Sequence, residues 1–93
     1  MSVVIVTGSA GLIGSETASY FARLGFDVVG IDNNMRRVFF GAGACTSWNQ
    51  AQLESSLGER YRHYRVDIRD RDAVRAIFTR YGRDIELVVH AAA

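Results

Sequence analysis

Lysine is absent: all 11 basic positions of the 93-residue sequence are arginine. Any chemistry that needs a lysine amine is therefore excluded from these residues. Cysteine is nearly absent. Cys45 stands alone, so no internal disulfide can form and no second thiolate offers metal-ligand spacing; a reducing cytoplasm suits such a chain best. Excess charge is missing too, with 11 basic against 10 acidic residues and a net charge of +1, which gives a nucleic-acid backbone or an anionic membrane nothing to grip. The segment RYRHYRVDIRDRDAVR is rich in arginine, but its acids are interspersed, and Asp72 three residues before Arg75 suits a solvated helix face. No apolar run approaches the roughly 20 residues of a membrane span, and the opening MSVVIVTG lacks a basic leader region, so neither an export nor a membrane segment is expected.

What is present is a chain that is 48% hydrophobic, enough for one folding unit near the lower size limit for a self-sufficient core. The run Val3–Thr7 (VVIVT) is short, β-branched and flanked by glycine, the pattern of a strand buried on both faces of a parallel sheet. Leu12, Ile13, Ala18, Phe21, Ala22 and Leu24 then recur at helical spacing as far as Gly25, a left-handed stop. Residues 27–32 (DVVGID) predict a second strand ending in an acid. Residues 33–50 have no clear period and read as a long loop, with Phe39, Phe40 and Trp48 as its packing anchors, before a short helix over 51–57 carrying Leu53 and Leu57.

The segment 61–66 (YRHYRV) predicts a third strand, after which Asp70 caps a helix whose apolar face is Val74, Ile77, Phe78 and Tyr81 and whose stop is Gly82. A fourth strand spans 86–90 (ELVVH). Strands alternating with helices require a parallel sheet with right-handed crossovers. The expected fold is therefore α/β, a Rossmann-type sheet of order 3-2-1-4 with helices on both faces, in which the fourth strand keeps an open edge. His63 and His90 read as structural histidines, and Cys45 as incidental.

Gly8, Gly11 and Gly14 stand in TGSAGLIG, between a predicted strand and a predicted helix, where a dinucleotide fingerprint belongs. The first glycine permits the tight turn, the second lets backbone approach a pyrophosphate, and the third lets helix and strand pack closely. Helix N–H groups and the helix dipole then attract the anion. Asp32, 18 residues beyond Gly14 (32 − 14), ends the second strand, where a carboxylate can accept hydrogen bonds from both ribose hydroxyls of an adenosine. Its charge opposes a 2'-phosphate and favours NAD over NADP, although Arg36 and Arg37 follow closely.

Taken in order, TGSAGLIG, GIDNNMRR, VDIRD and VVHAAA resemble the extended short-chain dehydrogenases/reductases, the NAD-dependent epimerase/dehydratase family, over the whole chain. The resemblance implies that Gly8, Gly11, Leu12 and Ile13 hold the pyrophosphate and that Asp32 holds the adenosine ribose. It gives Asn33 and Arg36 added ribose or phosphate contacts, and has Asp67 receive the adenine amino group while Ile68 lines the adenine pocket. Ala91, Ala92 and Ala93 would pass beneath the central ribose and pyrophosphate. The loop after strand two is similar to the insertion in nucleotide-sugar epimerases of the CDP-paratose 2-epimerase type.

Complete members of the family pair a Tyr-x-x-x-Lys with a Ser or Thr. Here Tyr20, Tyr61, Tyr64 and Tyr81 are followed four residues later by Leu24, Arg65, Ile68 and Ile85, so no catalytic residue is assigned, and residues 1–93 are expected to be the truncated NAD-binding domain of a longer protein. The parent would be a nucleotide-sugar epimerase or dehydratase that passes hydride transiently to bound NAD. A stand-alone, non-catalytic dinucleotide-binding or redox-sensing module, paired as a homodimer through the open sheet edge, is the other reading.

Overall fold

The fold is described from a computed structural model, which covers residues 2–33 and 46–91, with backbone alone over 46–50. The elements among these residues are β1 (Val3–Thr7), α1 (Leu12–Arg23), β2 (Asp27–Ile31), α2 (Thr46–Leu57), β3 (Tyr61–Tyr64), α3 (Arg71–Tyr81) and β4 (Ile85–His90). The sheet is wholly parallel in the expected order β3-β2-β1-β4. Val3 to Thr7 face Asp27 to Ile31 residue for residue, while the β1–β4 register shifts between Val3 and Val4.

The period-2 alternation of β1 and β2 feeds two apolar layers. Val4, Val6 and Val28 pack with Ala18, Ala22, Leu53 and Tyr61; Val3, Ile5, Val29 and Ile31 pack with Ile77 and Tyr81. A strand buried on both faces thus supplies two half-cores, one under α1 and α2 and the other under α3. Asp70 caps α3 as expected, its Oδ1 accepting from the Ala73 N–H at 3.2 Å, an interaction worth about 1 kcal/mol in such caps. Gly25 and Gly82 end α1 and α3 with φ of 99° and 46°.

Several boundaries and one face differ from expectation. α1 does not bury Leu12, Ile13 and Leu24, which are 69%, 72% and 57% exposed. Its sheet-facing row is Gly14, Ala18 and Ala22, because only small side chains at that spacing let the helix axis lie close to the strands. α2 begins five residues before the expected start at 51, since residues 46–50 have no apolar period that would mark a helix. β3 ends at Tyr64 rather than Val66: the Val66 N–H folds back onto the Tyr64 carbonyl at 2.9 Å and leaves the sheet. On β4, Leu87 and Val88 remain 44% and 42% exposed. No helix among the described residues is long and apolar enough to cross a membrane.

Candidate functional site

Because every strand runs the same way, all four carboxyl ends lie along one edge of the sheet. The order reverses between β1 and β4, and ligands of open α/β sheets bind outside the strand ends at such a switch. The turn after β1 is built by backbone: Gly8 has φ of 73°, its N–H donates to the Ile31 carbonyl at 2.8 Å, and its own carbonyl accepts from Gly11 at 3.1 Å. A side chain at Gly11 would bring Cβ to 3.3 Å from that carbonyl oxygen, and one at Gly14 would collide with it outright. The turn can be this tight only with both glycines, and it delivers the backbone to the N-terminus of α1, whose first N–H groups have no partner within the helix.

Asp32 closes one side of this turn. Its Oδ2 accepts from the Ala10 N–H at 3.0 Å, so the acid at the end of β2 is hydrogen-bonded to the glycine-rich turn after β1. Its own N–H donates to the Tyr64 carbonyl at 3.1 Å, tying it to β3. Asn33 in turn donates a side-chain hydrogen bond to Asp67. Asp67 is gripped by the Arg69 guanidinium, with contacts of 3.0 and 3.1 Å from Nε and 2.6 Å from Nη2, and by the Arg69 N–H at 2.8 Å. These bonds hold the Asp67 carboxyl at about 2 against an ordinary 3.8, so it meets any ligand at neutral pH as an acceptor only. Ile68 packs against the α3 side of the core. The Ala91 N–H donates to the Thr7 carbonyl at 3.0 Å, which brings the chain after β4 beside the start of the glycine turn.

The structure thus gathers Gly8, Gly11, Leu12, Ile13, Gly14, Asp32, Asn33, Asp67, Ile68 and Ala91 along one edge. Arg36, Ala92 and Ala93 lie outside the described residues, as do Arg37, Phe39, Phe40, Cys45 and the Trp48 side chain. Among the described residues no group of His, Cys, Asp and Glu has the arrangement of a metal site.

Beneath this rim, His63 and His90 read from the sequence as structural histidines, while Ser9 and the Tyr61 hydroxyl are passed over. Ser9 is fully buried. Its Oγ lies 2.9 Å from the Tyr61 hydroxyl, which lies 2.8 Å from His63 Nδ1, and His63 Nε2 lies 3.2 Å from the Asp32 carbonyl oxygen. His90, exposed rather than buried, meets Thr7 Oγ1 through Nδ1 at 2.7 Å. The available signal was a serine inside the fingerprint together with Tyr61 and His63 two apart on one strand, hence on one face.

A parallel sheet with a glycine turn after its first strand and an acid at the end of the second is the Rossmann arrangement. The sequence model of the NAD dependent epimerase/dehydratase family matches residues 4–93, and the chain belongs to that family. It is 36% identical over 90 residues to UDP-glucose 4-epimerase of Drosophila melanogaster, covering 97% of this chain and 25% of that protein. Among solved structures, a mutant UDP-glucuronic acid 4-epimerase from Bacillus cereus, in complex with UDP-4-deoxy-4-fluoro-glucuronic acid and NAD, superposes with a TM-score of 0.71 at 32% identity, over 98% of this chain and 26% of that one. The UDP-Glc/GlcNAc 4-epimerase of Campylobacter jejuni shares the fold with a TM-score of 0.75 at 24% identity, over 100% of this chain and 25% of that one. The chain spans about a quarter of the length of the curated relatives it matches.

Proposed function

We propose that residues 1–93 are the NAD-binding portion of a nucleotide-sugar epimerase or dehydratase. The observation that carries this reading is the hydrogen bond between Asp32 and Ala10, which sets a ribose-binding acid against the turn suited to a pyrophosphate. When bound, NAD would supply a reversible hydride acceptor for the sugar. The residues present fit that group. At Gly8, Gly11 and the first turn of α1, backbone N–H groups and the positive end of the helix dipole would hold the pyrophosphate, with Leu12 and Ile13 exposed beside it. Asp32 would accept from the adenosine ribose hydroxyls, and by the family resemblance Asn33 and Arg36 would add ribose or phosphate contacts. Asp67, kept ionised by Arg69, would accept from the adenine amino group, and Ile68 would line that pocket. Small residues at Ala91, Ala92 and Ala93 would let the chain pass under the central ribose.

No sugar-binding or proton-transferring residue is assigned within residues 1–93, where no tyrosine is followed four residues later by a lysine. A cytoplasmic setting suits the single cysteine. Calorimetric titration tests the cofactor assignment. NAD binds, NADP binds more weakly because its 2'-phosphate meets Asp32, and Asp32→Ala weakens NAD by tenfold or more, since hydrogen bonds to a charged group contribute about 1.5–3 kcal/mol. Tighter binding of NADP than of NAD would overturn the role given to Asp32.

A further inference from the structure

Beneath the rim, three side chains join the glycine turn, β3 and the end of β2. Ser9 is fully buried and Tyr61 is 4% exposed, so neither hydroxyl has water as an alternative partner. His63 is half-buried. The strand between them makes room for the contact: a Cβ at Gly30, one residue before the end of β2, would collide with both the Tyr61 hydroxyl and Ser9 Oγ. A glycine in a central strand weakens it and marks a close approach of other groups, and here the close approach is this pair of hydroxyls.

The proton order along the chain follows from its ends. The Asp32 carbonyl only accepts, so His63 carries a proton on Nε2. Burial lowers the affinity of His63 for a second proton below the ordinary 6.5, against opposing contributions from Asp32 and Glu54. The neutral ring therefore accepts at Nδ1, Tyr61 turns its one proton toward it, and Ser9 supplies the proton of the 2.9 Å contact. In the imidazolium both ring nitrogens donate, and the order reverses so that Tyr61 donates to Ser9. The charged and titratable groups facing His63 are Asp32 at the end of β2, Tyr61 and Arg65 on and after β3, and Glu54 on α2.

We propose that Ser9, Tyr61 and His63 are positioning residues, a hydrogen-bonded chain that fixes the glycine turn and the Asp32 backbone relative to each other and so sets affinity for the adenosine and pyrophosphate of a dinucleotide. One end of the chain is a residue of the turn itself; the other grips the residue whose carboxylate closes that turn through Ala10. The proposal rests on the dinucleotide reading, and two readouts keep the two separable.

The first readout is calorimetric NAD affinity of the wild-type chain, Tyr61→Phe, His63→Leu and His63→Gln at neutral pH, with circular dichroism reporting the folded fraction. Tyr61→Phe keeps the ring in the core and removes only the hydroxyl. It should weaken NAD about tenfold, His63→Leu should do the same, and His63→Gln, which keeps an N–H for the Asp32 carbonyl, should recover most of the loss. The second readout needs no ligand: amide hydrogen exchange at Ala10, whose N–H is held by Asp32, should quicken about tenfold in Tyr61→Phe. Equal affinities of the wild type and the three variants would overturn the proposal. If the folded wild type ignores NAD, the dinucleotide reading fails by itself and the Ala10 amide decides positioning, an unchanged exchange rate overturning it and a faster one upholding it.

Discussion

Replacing Gly14 with alanine destabilises the chain by about 3 kcal/mol, the upper end of ordinary overpacking costs, and abolishes dinucleotide binding. The added Cβ would fall on the Gly8 carbonyl oxygen, 2.7 Å from its carbon and 3.0 Å from the Ser9 Cα. All three are backbone atoms of one tight turn, so no rotamer change relieves the overlap. Either α1 lifts from the sheet, loosening its contacts at Ala18 and Ala22, or the turn opens and breaks the Gly8–Ile31 and Gly11–Gly8 hydrogen bonds. Small domains hold only about 5 kcal/mol or slightly more in reserve. Urea unfolding read by circular dichroism checks the stability loss, and calorimetry with NAD the binding loss. A variant as stable as the wild type would mean that helix and turn are not packed as described.

The second large effect is expected at Gly30. Alanine there meets the Tyr61 hydroxyl, Ser9 Oγ and, at 2.8 Å, Ser9 Cβ, and should cost about 2 kcal/mol. Because the obstruction is made of side chains, it can be removed. In a Ser9→Gly, Tyr61→Phe background the same Gly30→Ala change should cost less than about half as much, a coupling that a double-mutant cycle reads directly. An undiminished cost would place the obstruction elsewhere and weaken the case that the glycine exists to admit these hydroxyls.

How much of this was legible beforehand divides along physical lines. Apolar runs such as Val3–Thr7 and Asp27–Ile31 announce themselves because both faces are buried, and the alternation of strands with helices then leaves few topologies. The glycines and Asp32 were legible because their spacing is fixed by one local unit, strand, turn and helix. Legibility failed where packing rather than periodicity decides. Leu12 and Ile13 look like a buried face by spacing, yet the helix approaches the sheet through Gly14, Ala18 and Ala22. The start of α2 lies in a stretch with no apolar period. Ser9, Tyr61 and His63 are brought together from positions 52 and 54 residues apart (61 − 9 and 63 − 9), a distance over which single-residue patterns carry no information, and Gly30 gives no sign in sequence of the hydroxyls it accommodates.

In the proposed function a dinucleotide lies along the carboxyl edge of the sheet, across the glycine turn, Asp32 and the loop after β3. Backbone amide NMR of the labelled chain during titration with NAD tests it most directly. Signals of Gly11, Leu12, Ile13, Asp32, Asp67 and Ile68 should move together and saturate, while those at the opposite strand ends, Val3, Asp27 and Ile85, stay in place. Saturable shifts confined to that opposite edge, or none at all from a folded chain, would contradict it.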